Sequence, residues 1–364
     1  MIFDPEWDTS FEEPETASQE PEWWEVNDEL SLAREVYPDG MFARPREIKA
    51  LWWFGKEMKL DPNVNLSRAI VTARMFGTAQ YYDKRIITGA SGKKRLLCIP
   101  RLRLKFLQRQ ISRHVLTEDL RAVNTSGGLG GSCLETLLPH RGKRSMLCFD
   151  FKDAFFHVGE NFLMYALQTK GFTWYVSNFI CSLCLYSPAE DWIKEKYGTN
   201  STFLPQGGPA SPKLFSIACH FFDKRCSRLA ERVGGTYSRY ADNVYFGMPT
   251  EEFPEKIKHA LFAEATKAGF VSHKVRVVNH GNLCHALGLN LIGDRIANSR
   301  DYKRSLRKAL THLEYTLDHG LSHEDALLRA EGLMSVAVRA TLPANLLDHH
   351  KRCREKVDDL WLPV

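Results

Sequence analysis

The chain has 364 residues, enough for two or three packed subdomains, and 44% of them are hydrophobic, as in an ordinary globular protein. No apolar run reaches 18 residues, which argues against a membrane span, and the acidic N-terminus lacks a basic-then-apolar secretory pattern, so the expected location is the cytoplasm. The net charge of +5 hides an asymmetry: residues 1–36 carry twelve acids and one base, leaving 48 bases against 32 acids, or +16, in residues 37–364. A basic body of this kind points to a polyanionic partner, of which nucleic acid is the commonest.

Residues 1–22 are rich in Glu, Pro, Ser and Thr and read as a flexible or loosely attached arm. Trp7, Trp23 and Trp24 are unusual in such a segment. They would suit docking onto the body or a second subunit; a plain solubilising tail, or an acidic arm lying in a basic groove, are the other readings. Residues 44–78 read as helical, ending near Gly77. A strand–turn–strand follows, with Tyr82–Thr88, the turn Gly89-Ala-Ser-Gly92, and a return strand through Pro100. Leu102–Thr117 reads as a basic amphipathic helix, because Leu104, Leu107, Ile111 and Val115 recur at helical spacing. Residues 123–132 read as a Gly-rich loop.

Met146–Phe151 reads as a buried strand, and residues 158–197 as mostly helical. Ser211–Val233 reads as one helix, with Ser211 as its cap, Pro212 in its first turn, and Gly234-Gly235 ending it. Tyr237–Met248 alternates like two strands folded at a tight turn. Residues 250–268 read as helical, and two short strands are expected before 296. From 301 the chain reads as helical to its end, with Leu306, Leu310, Leu313 and Leu317 on one side and Lys303, Arg304, Arg307 and Lys308 on the other. The whole predicts an α+β body with an appended helical subdomain. The nine scattered cysteines, with one Cys-x-x-Cys pair at Cys181 and Cys184, predict buried free thiols in a reducing compartment.

Two aspartates stand out for their settings. Asp150 ends the apolar run Met146-Leu-Cys-Phe-Asp150, and Asp242 lies in the sharp turn of Arg239-Tyr-Ala-Asp-Asn-Val-Tyr-Phe246. If the two strands are neighbours, both carboxylates project from one end of a sheet. That is the arrangement phosphoryl transfer needs to hold two divalent ions roughly 3.5–4 Å apart. Taken singly, each is better explained as a strand-end or turn carboxylate.

The order of the segments adds to this. Asp150-Phe-Lys-Asp-Ala-Phe-Phe156, Leu204-Pro-Gln-Gly-Gly-Pro-Ala-Ser-Pro212 and Tyr240-Ala-Asp-Asn243 resemble the three palm motifs of reverse transcriptases. Arg95 in Gly92-Lys-Lys-Arg95, followed by Pro100 and Leu104-Lys-Phe-Leu-Gln108, resembles the fingers segment of the bacterial enzymes. The resemblance spans residues 80–350 or so. It implies a right-hand polymerase fold, with residues 1–43 as an acidic extension, 44–132 as fingers, 133–296 as an antiparallel, helix-backed palm and 297–364 as a helical thumb. It implies that Asp150 and Asp242 bind Mg²⁺, with Mn²⁺ as an alternative, assisted by the Phe151 carbonyl. Phe155 falls where the family places an aromatic gate that clashes with a ribose 2′-hydroxyl. Gln206 and Gly207 would lie beside the incoming nucleotide, and Arg95 would clamp the triphosphate through paired hydrogen bonds. Lys84, Lys93 and Lys94 are weaker candidates for that clamp. Gly269-Phe-Val-Ser-His-Lys274 resembles the fourth motif, in which Lys274 would protonate pyrophosphate, with His273 as a competing donor. Leu287-Gly-Leu-Asn-Leu-Ile292 resembles the primer-grip strands, and the basic helix from 301 the thumb helix that follows a duplex backbone.

There are two departures. The third motif usually ends in two aspartates, and here the second is Asn243, so the site carries one negative charge fewer. The Asn-Ala-x-x-His signature of retron enzymes is not found, and Leu287-Gly-Leu stands where their Val-Thr-Gly would be. The resemblance is therefore to the bacterial retron and defence-associated enzymes taken together, with a lean to the latter. It implies RNA-directed DNA synthesis from dNTPs on a noncoding RNA template in antiphage defence, with an RNA–DNA duplex as product and room for a second subunit or partner protein. A protein-primed or template-independent polymerase, and a catalytically weak nucleic-acid-binding scaffold, are the alternatives.

Overall fold

The computed structural model describes residues 45–60, 66–88, 94–117, 125–126, 128–188, 202–338 and 341–361. The acidic extension with its three tryptophans, the 89–92 turn, Lys93 and the Lys94 side chain lie outside the described residues, as does part of the Gly-rich loop.

The N-terminal part pairs two helices with a hairpin. Helices α1 (Pro45–Glu57) and α2 (Leu66–Phe76) precede strands β1 (Tyr82–Thr88) and β2 (Lys94–Pro100), which pair antiparallel from Tyr82↔Pro100 to Thr88↔Lys94. Helix α3 (Leu102–Gln110) continues into a π-helical turn, Ile111–Val115. The expected apolar stripe Leu104, Leu107, Ile111 and Val115 is buried along it. Gln108 is buried beside that stripe because its amide has partners: it donates to the Tyr82 hydroxyl at 2.7 Å and the Leu183 carbonyl at 2.8 Å.

The central sheet has five strands in the order β3-β5-β6-β4-β7. They are β3 (Thr125–Ser126), β4 (Ser145–Phe151), β5 (Thr236–Tyr240), β6 (Asn243–Met248) and β7 (Ser272–Val278), all antiparallel to their neighbours except β3, which runs parallel to β5. Part of the expected Gly-rich loop is thus an edge strand. The short helix α4 (Cys133–Leu137) leads from it towards β4, capped by the Ser132 hydroxyl, which accepts from the Glu135 N–H at 3.1 Å. Strand β4 reads as a continuous apolar run because the sheet is covered on both faces. Leu147, Phe149 and Phe151 enter the large core, to which helices α5 (Glu160–Gln168), α6 (Trp174–Cys184), α7 (Ser211–Ala218), α8 (His220–Val233) and α9 (Glu255–Lys267) contribute. Met146 and Cys148 enter a smaller core shared with Cys284, Ala286, Leu289 and Leu291.

Those last residues belong to a second sheet. Where two short strands are expected before 296, β7 is followed by β8 (Cys284–Ala286), β9 (Leu289–Ile292) and the start of β10 (Arg295–Asn298), and these last three form a three-stranded antiparallel sheet. Segments of three or four residues are too short to show an alternation.

The expected helix 211–233 is two helices broken at Cys219, where ψ is −2°. Each half serves a different contact: Phe215 on α7 stacks on Phe155 with ring centroids 4.8 Å apart, and Phe222 on α8 meets Phe151 edge-on at 5.2 Å. Ser211 does not cap. The cap position is Ala210, whose backbone is already helical, so Ser211 sits one residue inside, with its hydroxyl buried and unpartnered. The closing glycine holds: Gly234 is left-handed at φ 65°.

The C-terminal helical region is three helices, α10 (Arg300–Asp318), α11 (Glu324–Val336) and α12 (Ala344–Trp361), around their own core. Leu306, Leu310 and Leu313 are buried in it, with Leu317 packed alongside, while Arg304, Arg307 and Lys308 are exposed and Lys303 is half-buried. All nine cysteines are free thiols and eight are buried, as the scatter predicted. Among the described residues no helix is long and apolar enough to cross a membrane.

Candidate active site

The expected convergence of the two aspartates is present. Strands β4 and β6 are neighbours, and Asp150 pairs with Asn243 in their register. The connection from β5 to β6 is the two-residue turn Ala241-Asp242, with Ala241 left-handed at φ 50°. The Phe151 N–H donates to the Asp242 carbonyl at 3.1 Å, which fastens the turn to the end of β4. Both carboxylates therefore sit at one end of the sheet.

Their electrostatics reflect that closeness. Burial pushes the Asp242 carboxyl above the usual range, and its own backbone N–H pulls it back. The Asp150 charge raises it further, while Lys274 and Arg95 oppose that rise. Asp150 Oδ2 accepts from Lys274 Nζ at 2.6 Å, and Asp150 Oδ1 is buried without a partner. Asn243 turns its amide towards its neighbour and donates to Asp242 Oδ1 at 3.1 Å, and more weakly to the Tyr240 carbonyl at 3.5 Å.

This donor set fits a divalent cation. It has two near carboxylates, an orphaned buried carboxylate oxygen, and an ammonium already drawn to the other oxygen of Asp150. Oxygen donors suit Mg²⁺ and Mn²⁺. Among the described residues no group of three or more His, Cys, Asp and Glu converges, so a cation held here would rest on two carboxylates and whatever backbone or amide oxygen joins them. The Phe151 ring belongs to the core, stacked on Phe270 at 4.4 Å, which leaves its carbonyl as the only group it could offer.

Of the other expected residues, Arg95 and His273 are tied directly to the two aspartates, and Phe155, Gln206 and Gly207 to neighbouring elements. Phe155 follows a left-handed Asp153, at φ 46°, and is half-buried against Phe215. The Gln206 carbonyl accepts from the Cys98 N–H at 2.8 Å, which ties its loop to β2. Gly207 has φ 109°, and a Cβ there would lie 3.0 Å from the Cys98 carbonyl, so the contact requires glycine. Arg95 is exposed on the same strand, and its charge is felt at Asp242. His273 pairs with Asp150 in the β4–β7 register and is half-buried. Lys84 lies opposite Cys98 in the hairpin register, away from Arg95, which lies opposite Ile87.

Motif spacing passed over two buried charges. Arg239 and Asp223 are almost fully buried and form a two-pronged ion pair, Nε to Oδ1 and Nη2 to Oδ2, both 2.7 Å. Tyr237 donates to Asp223 Oδ1 at 2.6 Å. The available signal was an Arg inside a sheet strand, together with an Asp on the same helix stripe as Phe222, Cys226 and Ala230, the buried positions of α8.

Residues 83–291 match the family described as reverse transcriptase (RNA-dependent DNA polymerase). The chain is 30% identical over 276 residues to the retron Mx162 reverse transcriptase of Myxococcus xanthus, covering 69% of this chain and 56% of that protein. It is 25% identical over 229 residues to the retron Ec86 reverse transcriptase of Escherichia coli, covering 62% and 67%, and 28% identical over 242 residues to the retron Mx65 enzyme of M. xanthus, covering 65% and 56%. It thus spans little more than half the length of both M. xanthus relatives. Among solved structures, apo telomerase from Candida tropicalis superposes with a TM-score of 0.47 at 15% identity, over 84% of this chain and 61% of that one.

Proposed function

The chain belongs to the reverse transcriptase family, and on that premise we propose that it is an RNA-directed DNA polymerase that copies a noncoding RNA into DNA, with Asp150 and Asp242 as its metal ligands. The observation that carries the reading is the placement of those two carboxylates at one end of the sheet, with a buried, unpartnered oxygen on Asp150. In this reading residues 44–132 are the fingers, 133–296 the palm and 297–364 the thumb. The associated noncoding RNA template and the role in antiphage defence rest on the resemblance of the palm and fingers motifs to the bacterial retron and defence-associated enzymes.

Each residue has a distinct part in the reaction. Divalent ions at Asp150 and Asp242 would acidify the primer 3′-hydroxyl and neutralise the leaving pyrophosphate. Arg95 reaches the triphosphate from β2. In this reading Lys274, whose ammonium lies 2.6 Å from Asp150, passes a proton to pyrophosphate. The Phe155 ring, braced by Phe215, stands under the sugar and excludes a 2′-hydroxyl. Gln206 and Gly207 form the floor beside the base pair. The exposed Arg304, Arg307 and Lys308 follow the product duplex through its phosphates.

A second reading, a scaffold that binds nucleic acid without turnover, is favoured by Asn243, whose amide donates to Asp242 where a second carboxylate would add charge. Purification of the full chain with its bound nucleic acid, followed by sequencing before and after addition of dNTPs and Mg²⁺, separates the two. New DNA complementary to one copurifying RNA supports the polymerase. Bound RNA with no extension under Mg²⁺ or Mn²⁺ supports the scaffold.

A further inference from the structure

We propose that Arg239 is a positioning residue for both the metal site and the sugar gate, acting through the Ala241 carbonyl on one side and the Phe215 ring on the other. The first limb rests on the proposed metal-ligand role of Asp242, and the second on the polymerase reading as a whole.

The first limb follows from peptide geometry. Arg239 Nη1 donates to the Ala241 carbonyl at 2.6 Å. A peptide unit is planar, so fixing that oxygen fixes the plane that delivers the Cα of Asp242. The plane on the other side of Asp242 is fixed as well, because its carbonyl accepts from the Phe151 N–H at 3.1 Å, one residue beyond Asp150. Asp242 is thus held between two tethered planes, one tied to the core and one to the strand of its partner carboxylate. The residue so tethered, Ala241, is left-handed at φ 50°, a conformation that residues with a Cβ rarely adopt.

Only an arginine meets the geometry. Its planar fork gives Nε and Nη2 to Asp223 and still leaves Nη1 for Ala241, with a weaker contact from Nη2 to the Ser216 carbonyl at 3.5 Å. Asp223 in turn is aimed by the Tyr237 hydroxyl.

The second limb runs through an aromatic ring. The guanidinium carbon of Arg239 lies 5.8 Å from the centroid of Phe215, and Phe215 is the ring on which Phe155 stacks. One buried cation therefore touches the supports of both the metal ligand and the gate.

The test uses the full chain. Arg239→Met combined with Asp223→Leu removes both buried charges, and such replacements are often neutral for stability. The expected result is a folded protein, by thermal unfolding, whose Mn²⁺ dissociation constant, read by electron paramagnetic resonance, rises about five- to tenfold. Incorporation of ribonucleotides relative to deoxynucleotides should rise at least threefold, through kcat rather than KM. Arg239→Lys, which keeps charge but cannot span both partners, should move the same two readouts part of the way and is decisive if the double variant does not fold. A folded variant with wild-type Mn²⁺ affinity and sugar discrimination overturns the proposal. If wild type polymerises nothing, the polymerase reading fails, and the Mn²⁺ measurement still decides the first limb.

Discussion

Lys274 Nζ lies 2.6 Å from Asp150 Oδ2, so the residue proposed to protonate pyrophosphate also neutralises a candidate metal ligand. These two roles predict opposite changes in one variant. In Lys274→Met the cation no longer competes with Mg²⁺, and the Mg²⁺ concentration for half-maximal rate should fall severalfold. The loss of a general acid should lower kcat by about a hundredfold or more. Steady-state kinetics across a Mg²⁺ titration read both, and an unchanged kcat removes Lys274 as the proton donor.

Asn243→Asp places a third carboxylate opposite Asp150 in the β4–β6 register. The change exchanges an amide donor to Asp242 for a like charge. Mg²⁺ affinity should tighten, while the metal-free protein should lose about 1–2 kcal/mol of stability. The paired readout is thermal unfolding with and without Mg²⁺: the gap between the two curves should widen. A Mg²⁺ titration that does not move contradicts the charge argument.

Phe155→Ala removes a ring that is half-buried and stacked on Phe215. Stability should fall by about 1–3 kcal/mol, less than for a fully buried ring. Ribonucleotide incorporation should rise, and competition between dNTP and the matching rNTP measures it. Unchanged sugar discrimination in a folded variant assigns the gate elsewhere.

His140 supplies a pH dependence away from the catalytic groups. It is fully buried, bonded to the Ser238 hydroxyl at 2.7 Å, and burial, with a lesser contribution from Lys143, pushes its pKa from the ordinary 6.5 down to about 3. The unfolded chain therefore binds a proton that the folded chain refuses between those two values. Stability is intact above pH 6.5 and falls as the pH drops through that window, by about 2 kcal/mol at pH 5 from this group. Denaturant unfolding of wild type and His140→Gln at about pH 7.5 and pH 5 tests it: the loss on acidification should be smaller in the variant by about that amount. Equal losses would show that His140 does not drive the dependence.

Much of this architecture was legible because it rests on periodicity or on local turn chemistry. The Leu306–Leu313 stripe follows the helical period, and its buried side is the side the period names. The Asp150–Asp242 convergence followed from an apolar run, a tight turn and an apolar run, which leave few ways to pair. What was missed depends on partners distant in sequence. The break at Cys219 is set by which ring each half of the helix reaches, Phe155 or Phe151. Strand β3 has two residues and exists only because β5 lies beside it. Arg239 gains its meaning from Asp223, sixteen residues earlier on a packed helix, a pairing that no local pattern encodes.

Incorporation of labelled dNTP on an RNA template with Mg²⁺, comparing wild type with Asp150→Asn and Asp242→Asn, probes the two-carboxylate metal site most directly. Both variants keep the shape of the site and remove one charge from it. The expected result is RNA-dependent DNA synthesis by wild type and a loss of at least about a thousandfold in each folded variant, with no such loss in Asp294→Asn, an exposed aspartate of the β9–β10 turn. Wild-type rates in either site variant, or synthesis indifferent to the RNA, would contradict the assignment.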